Sequence, residues 1–357
     1  MSQRGPIRIL VVDDSRVCQE ILSALLEADP DISVIGSACS GPEAIARTVE
    51  LRPDVISMDV SMSGEMDGIE ATAEIMKISP CRVVIVSALV REGDAELSMR
   101  ALQSGALAVV KKPRELGSEE FMQDKRHLLG TIKAVAGVQL RRRGTASVRP
   151  DAGSDRPSPR TDLGSLVGRR YDIVAIAASV GGPEALQKIF SELSPDFPRP
   201  VVLVQHMSPG FIGGFVSWLD SVSPLRVKLA THGERLRQGV VHVAPSDRHL
   251  YLSSRGTAGL SDDPPVGVYK PAASYLFQSV AEIYRRSVLA LVLTGMGRDG
   301  LSGLRAVRAA GGGIIAQDEA SSVVFGMPRA AIEAGLSHSV LGLDDIGAAL
   351  IKLTKNP

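Results

Sequence analysis

The sequence predicts two α/β domains, each a doubly wound parallel sheet, joined by a linker, and three observations carry that prediction. Between Ile7 and Lys112, short runs rich in Val and Ile (ILVVD, ISVIGSA, DVISMDV, RVVIVSA, ALAVV) alternate with stretches of helical period. Strands that are apolar on both faces and separated by helices are the mark of a covered parallel sheet. The same alternation resumes after Tyr171. Between the two, RRRGTASVRPDAGSDRPSPRTDLGS crowds Arg, Pro, Ser and Gly and keeps no apolar period, from about Arg141 to Gly168, which is linker chemistry. A chain of 357 residues agrees with roughly two domains. The expected boundaries are a first domain over 1–125, a linker over 126–168 and a second domain over 169–357.

Taken in order, the five apolar runs of the first half are buried strands. Val17, Ile21, Leu25 and Leu26 recur at helical spacing after the first of them, and similar stripes follow at Ala44 to Val49, Ile69 to Ile78 and Leu97 to Leu102, giving helices between strands. In the second half the strand patterns are YDIVAIAAS, VVLVQHM, VVHVAP, HLYLS, SVLALVLTG and GGIIAQD, with helical stretches such as Ala272 to Arg286 and Leu301 to Ala310. An acidic doublet in the first half has no counterpart in the second, so the two halves are expected to do different jobs.

Composition excludes several classes of function. Hydrophobic residues make up 44% and charged residues 22%, ordinary usage for chains that bury real cores. Forty Lys and Arg balance forty Asp and Glu, leaving no overall attraction to nucleic acid or an anionic membrane. The longest apolar runs, such as Val288 to Leu293, fall far short of the roughly 20 residues that span a bilayer. No export signal is visible at the N-terminus. The three cysteines, Cys18, Cys39 and Cys81, lack metal-ligand spacing and read as reduced thiols. The expectation is a cytoplasmic protein with no nucleic-acid partner and no membrane insertion.

In the first half, Asp13 and Asp14 end the first strand, Asp59 the third and Ser87 the fourth, and Lys112 ends the fifth. In an open parallel sheet these carboxyl ends form one edge, where ligands sit. Three carboxylates gathered there repel one another and call for a hard divalent cation, Mg²⁺ rather than zinc. A carboxylate beside such an ion can attack a phosphoryl donor while Lys112 and Ser87 contact the phosphate oxygens, and Asp59 is the central candidate. VVDDS, DVSMSGEMDG, VSA and VVKKP are similar to the signatures of bacterial two-component response regulator receiver domains, which have a flavodoxin-like fold. The resemblance implies that Asp59 is the phosphorylated aspartate, that the metal site is made by Asp13, Asp14 and Asp59, with Asp14 a direct Mg²⁺ ligand, Asp13 supporting it and the Ser61 carbonyl completing it, and that Ser87 and Lys112 are the phosphate contacts. This chain departs from the family in two places: Ser63, Gly64 and Glu65 lengthen the loop to the MDG turn, and Val109 stands where many receivers carry an aromatic ring.

In the second half, AASVGG follows an apolar strand and precedes PEALQKIF, with Pro183 suited to a first helical turn. A serine in such a strand, turn and helix is presented near backbone N–H groups that stabilise an oxyanion, which makes Ser179 a candidate nucleophile. The match to G-x-S-x-G is partial, because Ala177 replaces the first glycine. Such a serine needs a histidine base, and the base needs an acid to orient it. Of six histidines, His206 ends the strand VVLVQH at the same expected edge, whereas His242 lies within a strand pattern. For the acid, LALVLTGMGRDG ends another strand in a glycine-rich turn carrying Asp299.

AASVGG, QHMSPGF, LTGMGRDG and AQDEASSVVFGMPRAA together resemble the motif set of the chemotaxis protein-glutamate methylesterase family, whose members also carry an N-terminal receiver. The resemblance runs nearly end to end. It implies Ser179 as nucleophile, His206 as base, Asp299 as orienting acid and the Met296 N–H in the oxyanion hole, with no cofactor for the esterase. It further implies methyl-accepting chemoreceptors as substrates, by demethylation of glutamate methyl esters and deamidation of glutamines, and a chemotaxis histidine kinase as phosphodonor. Val180 follows the nucleophile where the family commonly has threonine. The leading reading is a phosphorylation-controlled esterase, for which the intact Ser179, His206 and Asp299 set argues; Val180 and the lengthened loop are the features that favour the alternative, a response regulator whose second half is a protein-binding module with little or no hydrolysis. A DNA-binding response regulator is disfavoured, since the second half shows no compact helix-turn-helix unit or concentrated basic face.

Overall fold

The alternation of apolar runs and amphipathic helices resolves, in a computed structural model of the chain, into two parallel sheets. Residues 5–87, 94–113, 119–138, 163–208 and 210–355 are described; most of the expected linker lies outside them. The chain divides into two units, Met1–Gly153 and Ser154–Pro357.

The first unit runs β1 (Ile7–Val12), α1 (Arg16–Glu27), β2 (Ile32–Ala38), α2 (Gly41–Leu51), β3 (Val55–Met58), α3 (Gly68–Ile78), β4 (Arg82–Ser87), α4 (Asp94–Gln103), β5 (Ala108–Lys111) and α5 (Glu119–Ala136). All pairings are parallel, in the order β2-β1-β3-β4-β5. Leu10, Val12, Ile56, Met58, Val83 and Ile85 form the sheet's contribution to the core. Local chemistry sets the helix starts: Ser15 caps α1 by accepting from the Cys18 N–H, and Asp67 with Glu70 forms a capping box on α3. Leu128, Ile132 and Val135 are fully buried along α5, so that helix continues the first unit past residue 125, where the sequence predicts the linker to begin. A three-and-four spacing of apolar residues is a core face, not a tether.

The second unit runs β6 (Ile173–Ala178), α6 (Gly182–Ser191), β7 (Val201–Gln205), α7 (Ile212–Val222), β8 (Arg226–Leu229), β9 (Val240–Val243), β10 (His249–Ser254), β11 (Thr257–Ser261), α8 (Ala273–Tyr284), β12 (Val288–Val292), α9 (Leu301–Ala309), β13 (Gly313–Gln317), α10 (Met327–Glu333), β14 (Ser339–Leu341) and α11 (Leu343–Thr354). Seven strands form one parallel sheet in the order β14-β13-β12-β6-β7-β9-β8. HLYLS is not in that sheet: it pairs antiparallel with Thr257–Ser261 as a separate hairpin. His249, Leu250 and Leu252 of this strand are buried, and Ser253 and Ser254 at its end are exposed. The two sheet-edge strands, RVKL and SVL, are too short and too polar to stand out as apolar runs.

Strand order has the same consequence in both units. The chain steps from β1 to β2 on one side and to β3 on the other, and it leaves β6 for β7 on one side while β12 pairs on the other. Each reversal opens a crevice at the carboxyl ends of the strands. Helix α3 begins hard against the first crevice: a Cβ on Gly68 would lie 1.9 Å from the Asp59 carbonyl oxygen. Backbone must move to admit it, so Gly68→Ala should destabilise the first unit by roughly 1–3 kcal/mol, read by urea unfolding of the full chain.

Candidate functional sites

At the first crevice the predicted acidic residues do converge. One ligand oxygen from each of Asp13, Asp14 and Asp59 falls within 4.8 Å of the others, an all-oxygen donor set that suits a hard divalent cation. Lys112 reaches in from the end of β5, with Nζ 2.5 Å from Asp13 Oδ2 and 3.0 Å from Asp59 Oδ2. Burial works against the Lys112 charge, but the two carboxylates outweigh it and hold the amine above its ordinary value. Burial pushes Asp59 up, against the pull of Lys112 and with the repulsion of Asp13, so added positive charge would favour its ionised form. Ser87 is buried at the end of β4. The lengthened loop takes part: the Ser63 N–H donates to Asp14 Oδ2 at 3.0 Å and holds that carboxyl below its usual range.

The second crevice is built by three adjacent strands. Ala178 pairs with Gln205 in the β6–β7 register, so Ser179 and His206 are the next residue on each, on strands about 4.8 Å apart. The His206 N–H donates to the Ala178 carbonyl at 2.9 Å, tying it to the end of β6, and the Ser179 N–H donates to the Thr294 carbonyl at 3.0 Å, tying the serine to the segment following β12. The turn after Ser179 depends on Gly181, at φ +79°, where a Cβ would lie 2.4 Å from the Val323 side chain. Gly295 is equally constrained, since its Cβ would lie 2.7 Å from Ser179 Cβ. That close approach brings the next residue, half-buried Met296, beside the nucleophile candidate.

Asp299 is the electrostatic centre of this site. Its Oδ2 accepts from His206 Nε2 at 2.9 Å and the Ala273 N–H at 2.6 Å, and its Oδ1 from the N–H groups of Ser274 at 3.0 Å and Gly300 at 2.7 Å. Ala273 and Ser274 open α8, whose own N-cap, Ala272, offers no side-chain acceptor, so Asp299 supplies that helix with its cap from another element. Burial pulls the Asp299 pKa up, but His206 and these donors overcome it and bring it down to about 2. An ionised carboxylate only accepts, so His206 Nε2 carries the proton. In the neutral ring Nδ1 therefore keeps the lone pair, and it is buried with no hydrogen-bond partner among the described residues. The free nitrogen is thus Nδ1, the reverse of the serine-protease arrangement in which the acid meets Nδ1. Ser179 Oγ forms no hydrogen bond to His206 here; such contacts are often long before substrate binds.

His242, set aside from the sequence as a strand residue, is fully buried and bonded to Glu234 at 3.0 Å. Sequence reasoning missed the residues that hold the site together. Thr294 Oγ1 donates to the Val180 carbonyl at 2.9 Å and accepts from the Val324 N–H at 2.9 Å, and Gln205 Nε2 donates to the Ser179 carbonyl at 2.8 Å. The available signal was a polar residue closing each apolar strand, VVLVQ and LALVLT.

Because Asp299 is depressed from 3.8 to about 2, the folded state binds its proton more weakly than the unfolded state does. The stability it contributes, about 2 kcal/mol, is complete above about pH 5 and lost as pH falls through about 4 toward 2. Urea unfolding across that window should show this loss in the wild type and a correspondingly flatter profile in Asp299→Asn.

Comparison with known proteins covers both units. The family model described as CheB methylesterase matches residues 174–350, and that of the response regulator receiver domain matches residues 9–120. A protein-glutamate methylesterase/protein-glutamine glutaminase of Myxococcus xanthus is 45% identical over 98% of this chain and 97% of its own length. One from a Rhizobium meliloti group 3 operon is 42% identical over 98% and 97%. The solved Thermotoga maritima CheB methylesterase catalytic domain is similar at TM-score 0.50 and 41% identity, covering 52% of this chain and 99% of that one. The chain belongs to the protein-glutamate methylesterase/protein-glutamine glutaminase family, a response regulator receiver domain followed by a CheB methylesterase domain.

Proposed function

We propose that this chain is a phosphorylation-controlled serine hydrolase that converts glutamate methyl esters on chemoreceptors to glutamates, releasing methanol, and deamidates glutamines at such sites. The observation that carries the proposal is the ionised Asp299 fixing His206 with a free Nδ1 at the strand end next to Ser179. In this reading Ser179 Oγ attacks the ester carbonyl as His206 Nδ1 takes its proton. The oxyanion is met by the Met296 N–H and the uncapped start of α6. His206 returns the proton to the departing methanol, leaving an acyl group on Ser179, and water attacks that acyl group with His206 again as base. The products are the carboxylate and the free serine; a glutamine substrate gives ammonia in place of methanol. Asp299 stays ionised throughout and stabilises the imidazolium.

In the receiver, Asp13, Asp14 and Asp59 would hold Mg²⁺, which supplies charge neutralisation when bound. Asp59 takes the phosphoryl group, and Lys112 and Ser87 contact its oxygens. The partners that fit are the chemoreceptors and a chemotaxis histidine kinase. Among the described residues no helix is long and apolar enough to cross a membrane, consistent with action on the cytoplasmic part of a receptor. The intact constellation of Ser179, His206 and Asp299 supports hydrolysis over the binding-module alternative.

Methanol released from methylated receptor is the direct test. Ser179→Ala should abolish release, since loss of a triad serine costs on the order of a millionfold in kcat; a rate near wild type would reject the triad. A small phosphodonor with Mg²⁺ should raise the rate of the wild type, whereas Asp59→Ala should stay at its basal rate whatever the phosphodonor.

A further inference from the structure

We propose that Tyr269 is a positioning residue for the esterase: its ring, packed flat on the His206 imidazole, sets the plane of that imidazole. The inference rests on the triad reading above and adds a residue to it. Tyr269 lies between β11 and α8, outside every motif noted in the sequence. Its ring stacks on His206 with centroids 4.6 Å apart and planes 18° from parallel. Among the described residues, the one side-chain hydrogen bond of His206 is at Nε2, to Asp299. A single bond at one edge fixes where the ring sits but leaves it free to rock about that bond, because the terminal torsion of histidine is broad. Rocking would swing Nδ1, the nitrogen that takes the Ser179 proton in that reading, through a range of directions. A ring packed flat against one face removes that freedom.

The phenol end reaches the other half of the machinery. A Cβ on Gly297 would lie 2.5 Å from the Tyr269 hydroxyl, so the hydroxyl packs against the backbone next to Met296. The tyrosine is itself anchored: Val266 and Tyr269 exchange two backbone hydrogen bonds, of 3.1 and 3.2 Å, across a tight turn at Gly267. Burial, with the nearby Asp299 charge, raises the phenol above its ordinary value. Tyr269 is therefore a neutral ring at working pH and not an alternative base.

The ring face is what the mechanism uses, so the test separates ring from hydroxyl. Wild type, Tyr269→Leu and Tyr269→Phe are compared in the full chain by methanol release and by the rate at which a fluorophosphonate labels Ser179, with thermal unfolding as the fold control. Aromatic stacking of ordinary strength translates to about a tenfold effect on rate. Tyr269→Leu should lower kcat and the labelling rate about tenfold while KM moves less than about twofold, and Tyr269→Phe should keep both rates within about twofold of wild type. Wild-type labelling in a folded Tyr269→Leu, or a tenfold loss in Tyr269→Phe, would overturn the proposal. A wild type that does not label at Ser179 would instead overturn the triad reading, and this inference with it.

Discussion

The carboxylate of Asp299 accepts four hydrogen bonds, one from His206 and three from backbone N–H groups of α8 and of its own turn, and the second crevice depends on that arrangement. A buried carboxylate without partners would take up a proton. Here the donors keep it charged, down to a pKa of about 2, and the charge dictates which histidine nitrogen holds the proton. The same contacts cap α8. Helix start and histidine tautomer are therefore set by the same carboxylate.

The receiver unit solves the opposite problem with the same topology. Its crevice gathers Asp13, Asp14 and Asp59, and Lys112 is the compensating charge, bonded to two of the three. Its amine is thereby poised between carboxylates, where an arriving phosphoryl group would compete for it. Both sites lie where the strand order of a parallel sheet reverses. What differs is the chemistry of the residues that end the strands: acids and a lysine in one unit, a serine, a histidine and a glycine-rich turn in the other.

Much of this was legible in the sequence because strand-end residues announce themselves after apolar runs. Asp13, Asp14, Asp59, Ser179 and His206 each follow such a run, and the two-sheet fold follows from the runs alone. Asp299 was visible only as an acid in a glycine-rich turn; its four donors come from three separate stretches of chain, so no local pattern encodes them. The hairpin Val266 to Tyr269 carried no periodicity, and its ring meets His206 across 63 residues of sequence. The reach of α5 to Ala136 was missed because its apolar stripe runs through charged neighbours that resemble the approach to a linker. Gly68 and Gly295 look like ordinary turn glycines until the structure brings Asp59 and Ser179 against them.

The central claim is that Asp299 forces the His206 proton onto Nε2 and leaves Nδ1 as the base. Nitrogen-15 NMR of the histidine side chains, with His206 assigned by a His206→Gln variant, reads this tautomer directly. At a pH where the ring is neutral, the account predicts a protonated Nε2 and an unprotonated Nδ1, a pattern that Asp299→Asn should shift. A proton on Nδ1 in the wild type would contradict it.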